Sequence, residues 1–143
     1  MKMRGKASLV AAGSMLLIGF TAGPSQAAVT HIAGCSTTGA SGTVNTSGWD
    51  YGDNSIPSLT LTVWDTESDG HHAQIRLVAQ YPDTVSFFPW HSNYDGYATS
   101  KEFDSYVAAG GSISDVGIQV ARYEGSTQLN HCTKWVSGST MEP

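Results

Sequence analysis

Three features of the 143-residue chain predict an all-β fold, a small antiparallel β-sandwich or open barrel closed by one disulfide. Short runs alternate apolar and polar residues with period two. Gly- and Asp-containing turn signals separate them, and no periodic segment is long enough for a helix. Two cysteines, Cys35 and Cys132, bracket these runs in a chain whose start reads as an export signal.

That start has the three-part plan of a secretory signal peptide. Lys2, Arg4 and Lys6 form a basic head, "ASLVAAGSMLLIGF" is an apolar run of 14 residues, and "TAGPSQA" ends in small residues. The run is too short to span a bilayer comfortably. Ser25 and Ala27 occupy the −3 and −1 positions of a cut after Ala27. Residues 1–27 are therefore predicted to be removed, leaving 143 − 27 = 116 residues, enough for one small core with little to spare. The mature protein is expected to be secreted and extracellular, with no membrane attachment.

In an oxidising compartment the cysteine pair predicts a disulfide. It closes a loop of 98 residues, counted inclusively from 35 to 132. Chain entropy puts its stabilising effect at up to about 4–5 kcal/mol. Residues 28–57 are rich in Gly, Ser, Thr and Asn with little periodicity, and predict an extended lead-in tethered at Cys35, with Val44 and Trp49 dipping into the core. The sandwich itself is assigned to residues 58–143.

In "SLTLTVW", residues 58–64, Leu59, Leu61 and Val63 alternate with Thr60, Thr62 and Trp64, a strand with one buried face. In "HHAQIRLVAQY", Ala73, Ile75, Leu77, Ala79 and Tyr81 alternate with His72, Gln74, Arg76, Val78 and Gln80. A short Gly-containing turn between the two runs predicts an antiparallel hairpin. "TVSFFPWH" reads as a short strand ended by Pro89, and "HSNYDGYATS" as a polar loop with an Asp95-Gly96 turn. "KEFDSYVAA" fits helix or strand: Phe103, Tyr106 and Val107 suit one spacing, Phe103, Ser105 and Val107 the other. "GGSISD" is a turn, and "VGIQVARY" and "STQLNHCTKWV" are the last strands.

Without residues 1–27 the chain keeps four bases (Arg76, Lys101, Arg122, Lys134) against twelve acids, a net charge of −8. Such a domain repels nucleic acid and anionic membrane surfaces. A cationic partner, a neutral glycan or an apolar peptide fits the charge better.

Chemistry-bearing residues concentrate in two places. In "WDTESDGHH", Asp65, Glu67 and Asp69 stand at alternate positions before Gly70, as in the first half of an EF-hand calcium loop. The twelfth position, where the bidentate Glu belongs, is Arg76, and the flanks are strands. Asp65 and Gly70 are therefore expected to shape a turn, with loose calcium binding by the three carboxylates as the minority alternative and no other cofactor. His71 and His72 point to opposite faces if the strand begins there, so they cannot share one metal. The second place is "SFFPWHSNYDGY", where Phe88, Trp90, His91, Tyr94 and Tyr97 form a candidate binding set for a protein anchor or a sugar ring. There is no G-x-S-x-G elbow and no zinc signature, so no catalytic residue is assigned and no enzymatic activity is expected.

The signal peptide ending "PSQA", the early Cys, "VWDTESDGHHAQIRLVAQY" and "ISDVGIQVARYE…HCTKW" resemble small secreted proteins of filamentous actinobacteria. In size and export the chain is also similar to the β-rich adaptor subunits of Streptomyces umbrella toxin particles. That resemblance implies a compact β fold and protein partners. Together these readings point to a non-catalytic interaction or adaptor module of an extracellular complex, an antibacterial toxin assembly among the candidates. A glycan- or cell-wall-binding module is the alternative, and a small secreted enzyme or protease inhibitor the third reading.

Overall fold

The computed structural model describes residues 27–138. The predicted signal segment, apart from Ala27, lies outside the described residues. Nine strands follow in order: β1 (Thr30–Thr37), β2 (Ala40–Ser47), β3 (Ile56–Asp65), β4 (His72–Gln80), β5 (Val85–Phe87), β6 (His91–Asn93), β7 (Ser100–Val107), β8 (Asp115–Glu124) and β9 (Thr127–Trp135). They form two antiparallel sheets, β1-β2-β3-β7 and β5-β4-β8-β9, with β6 also paired to β4. Both sheets are open, so of the two predicted architectures the sandwich is the one formed.

The core is what the alternation predicts. Leu59, Leu61 and Val63 of the first sheet face Ala73, Ile75, Leu77, Ala79, Val116, Ile118 and Val120 of the second, all nearly inaccessible to solvent. Burying each of the larger aliphatics contributes about 1.5–3 kcal/mol. Gly42 lets the sheets close up at their centre. A β-carbon there would lie 2.8 Å from both Ile75 Cδ1 and Val120 Cγ2.

The predicted β3–β4 hairpin is not formed. β3 pairs with β2 and β7, whereas β4 pairs with β5, β6 and β8. The two runs lie in different layers, and residues 66–71 cross from one sheet to the other. The reason is the burial pattern: both runs turn their aliphatic residues toward the same core, and stacking face to face satisfies that as fully as lying side by side.

Residues 28–57, expected as a loose lead-in, supply β1 and β2 in full register from Thr30↔Ser47 to Thr37↔Ala40. Val44 and Trp49 are fully buried as expected, together with Ala33 and Ala40. The small Ser, Thr and Gly residues of these strands hid the alternation. The ambiguous segment at 100–107 is strand β7, with Phe103 packed against the core and Val107 buried.

Cys35 and Cys132 form the predicted disulfide, with Cα atoms 6.2 Å apart. It ties β1 to β9, the strands that end the two sheets on the same side of the sandwich. The bond thus braces one of the two open sides of the sandwich.

Candidate functional site

The crossing segment, residues 66–71, carries most of the acidic loop. Asp65 is buried, and its Oδ1 accepts a hydrogen bond from the Glu67 backbone N–H at 3.2 Å. Asp69 Oδ1 accepts one from the His71 N–H at 2.9 Å, and Gly70 takes a positive φ of 79°. These are turn-shaping contacts of the kind Asp and Gly make.

The remaining carboxylates face a cation of the chain itself. Arg122 Nη2 lies 2.6 Å from Asp69 Oδ2, and Nη1 lies 3.6 Å from Glu67 Oε2. His71 Nδ1 lies 3.0 Å from Asp69 Oδ2. Hydrogen bonding from His71, then the nearby Arg122 charge, hold the Asp69 carboxyl below its ordinary value. Glu67 and Asp69 thus converge on Arg122, while Asp65 is engaged at the base of the loop. Among the described residues, no group of three or more His, Cys, Asp or Glu side chains is arranged to hold a metal ion.

The second candidate set is divided between two surfaces, and of its five residues only His91 lies in a strand. Phe88 packs on the core and His91 stacks on Phe103, centroids 4.7 Å apart, so both turn inward. Trp90, Tyr94 and Tyr97 do not join them. Tyr94 and Tyr97 are exposed, and Trp90 packs edge-on to Tyr123 at 5.6 Å. The interruption at Pro89 separates β5 from β6, which flank the same edge of β4.

Around Trp90 and Tyr94 the outer face of the second sheet carries a continuous strip that the sequence reading missed. The Arg76 guanidinium lies 4.3 Å from the Phe87 ring centre and 4.5 Å from that of Trp90. Trp90 meets Tyr123, Tyr123 stacks on His72 at 5.9 Å, and His72 lies 4.3 Å from Tyr94. β4–β8 pairing explains the assembly, because His72↔Tyr123 and Arg76↔Gln119 are direct partners on the outward parity.

Amide side chains brace the strip. Arg76 Nε and Nη2 donate to Gln119 Oε1 at 2.9 and 2.6 Å, and Gln119 Nε2 donates to Thr133 Oγ1 at 3.2 Å. Gln74 Nε2 donates to His72 Nε2 at 2.8 Å, which requires the neutral ring. The Tyr123 hydroxyl donates to Gln128 Oε1 at 3.0 Å.

Burial sets the electrostatics of the strip. It pushes the His72 pKa down, against the opposing Asp65 charge, and raises that of the Tyr123 hydroxyl. It also lowers that of Arg76, whose cation is compensated by two aromatic faces and a carbonyl oxygen. His72 is only 9 % accessible because Tyr94 and Tyr123 pack over it.

One sequence signal pointed here: His72, Gln74, Arg76 and Gln80 give β4 a polar face opposite the apolar Ala73, Ile75, Leu77 and Ala79. Tyr123 and Gln119 gave none, since strand pairing alone brings them to β4. The arrangement offers stacking faces, a fixed cation and amide groups, which is equipment for binding. The chain matches no protein-family model, no curated protein and no solved structure.

Proposed function

We infer that this chain is a secreted, non-catalytic interaction module of an extracellular complex, and that the outer face of its second sheet is the contact surface. The observation that carries the reading is the Phe87–Arg76–Trp90–Tyr123–His72–Tyr94 strip. Trp, Tyr and Arg are the residue types that dominate binding energy at protein interfaces, and here they are held in place before any partner arrives. The disulfide is compatible with an extracellular setting. Among the described residues no helix is long and apolar enough to cross a membrane. The resemblance to toxin-particle adaptors makes an antibacterial toxin assembly one such complex.

The test uses tagged mature protein as bait in the growth medium of the producing organism. A protein partner retained by the wild type and bound at least about tenfold more weakly by Trp90→Ala and Tyr94→Ala is expected. A lone monomer at every growth stage, or a partner indifferent to both substitutions, would overturn the reading.

The amide groups favour a second reading. Gln74 bonds His72, against which exposed Tyr94 packs, and Gln119 and Gln128 bond Arg76 and Tyr123 of the same strip, so amides lie along aromatic faces, a combination suited to a neutral sugar ring and its hydroxyls. A glycan array with Trp90→Ala as control separates the two. Binding of a neutral glycan that Trp90→Ala abolishes supports the second reading, and no glycan binding removes it.

A further inference from the structure

Edge strands expose unpaired backbone groups, and folded proteins normally protect them. Three edges of this sandwich carry such protection. β7 holds Lys101, Glu102 and Asp104, with Thr60 Oγ1 bonded to Asp104. β5 and β6 are three residues each, parted by Phe88, Pro89 and Trp90. β9 carries Lys134.

β1 is different. Its eight residues, "THIAGCST", include no Lys, Arg, Asp, Glu or Pro. One side pairs with β2 along its whole length, and among the described residues no strand follows on the other side in the sheet order. Ile32, near its middle, is 64 % exposed between Thr30 and Gly34 on the same face. The strand is also held rigid. The disulfide anchors Cys35, the Gly48 N–H donates to Val29 O at 2.8 Å, and Asn130 Nδ2 donates to Thr38 O at 3.1 Å. A pre-ordered edge leaves only the incoming chain to lose conformational freedom.

We propose that the free edge of β1 receives an extended segment of a partner polypeptide as an added strand, and that this segment alternates apolar and polar residues and bears a basic residue at the end lying beside Thr30. Alternation lets one apolar side chain of the segment pack on Ile32. The basic residue follows from the chemistry at the start of β1. Ala28 and Val29 share a cleft of about 270 Å³ with Asp50 and Asp53. Asp50 Oδ1 also lies 3.3 Å from His31 Nε2. Residues 28–143 carry four bases and twelve acids, a net −8, so a second copy is repelled where a basic segment is drawn in. This edge is separate from the aromatic strip, and the proposal stands without it. The two surfaces on one small domain would let it bridge two partners.

The experiment uses the mature disulfide-bonded protein and a synthetic peptide of about ten residues, alternating valine and threonine behind two lysines. NMR follows backbone shifts and amide exchange. Saturable shifts centred on β1, with exchange at its outward amides slowed about tenfold or more, are expected. The double substitution Asp50→Asn and Asp53→Asn, on the surface, should weaken the peptide about fivefold, as should replacing its lysines with glutamates. Shifts confined to the aromatic strip, no saturation at millimolar peptide, or no effect of the charge changes would overturn the proposal. So would a β1–β1 dimer of the free protein in sedimentation. Ile32→Lys gives a second control: it should weaken the lysine peptide while leaving the melting temperature within a few degrees.

Discussion

Arg122 Nη2 sits 2.6 Å from Asp69 Oδ2, joining strand β8 to the segment that carries the chain from one sheet to the other. The Arg122 stem also lies over Gly39, where a β-carbon would come within 2.5 Å of its Cδ. One half-buried side chain therefore organises three connections at this end of the sandwich: the β1–β2 turn, the crossing loop and the end of β8.

Arg122→Ala removes the cation and leaves Asp69 and Glu67 facing each other across a gap. We expect the melting temperature to fall by about 5–10 °C, the range for losing a partly buried charged network in a domain of this size. Differential scanning calorimetry of the oxidised protein checks this. An unchanged transition would show that the loop holds itself.

The Asp69 pair also sets a pH dependence. Its folded pKa is lowered below the ordinary 3.8 by hydrogen bonding from His71 and the nearby Arg122 charge. Between the two values the unfolded chain binds more protons, so the contribution is present above about pH 4 and is lost as pH falls through the folded value. Urea unfolding between pH 5 and pH 2.5 should show a slope in that window that Asp69→Asn reduces.

His72 acts in a different window. Its folded pKa lies below the ordinary 6.5 because burial penalises the imidazolium. The neutral ring is the stable form, so stability is full above about pH 6.5 and declines as pH falls below that toward the folded value. His72→Gln should flatten this decline between pH 7.5 and pH 5.5, and NMR titration of the ring protons reads the pKa directly.

Reducing the Cys35–Cys132 bond releases the disulfide cross-link between the two sheets. The Cys35→Ser, Cys132→Ser variant should lose up to about 4–5 kcal/mol in denaturant unfolding, most of the stability expected for a domain this small. A loss below about 1 kcal/mol would mean that the unfolded chain is already compact.

Two glycines separate packing from backbone strain. Gly42→Ala forces a methyl group against Ile75 and Val120, which should cost about 1–3 kcal/mol. Gly70→Ala meets nothing within 4 Å but must hold a φ of 79°, which should cost about 1 kcal/mol. Chemical unfolding of both variants measures the two effects side by side.

Alternation in β3, β4 and β8 was legible because a half-buried strand writes its period into six or seven neighbouring residues. The disulfide was legible because two cysteines in a chain whose start reads as an export signal have one pairing. Asp65 and Gly70 as turn formers followed from side-chain and backbone chemistry that acts within a few residues. β1 and β2 were obscured because Ser, Thr and Gly occupy both faces. β7 was ambiguous because Phe103 and Val107 fit two periods.

The tertiary structure alone decided which strands lie side by side. An alternating pattern states that Leu61 and Ile75 are buried, but it is silent on whether they share a sheet or oppose each other across the core. It also built the aromatic strip. Arg76 meets Trp90 only because Pro89 breaks the edge of the sheet, and His72 meets Tyr123 only because β8 pairs with β4. Local pattern fixes which face of a strand is apolar. The partner that covers that face, and the site formed on the other, come from contacts between residues distant along the chain, whose closure depends on the packing of the whole domain.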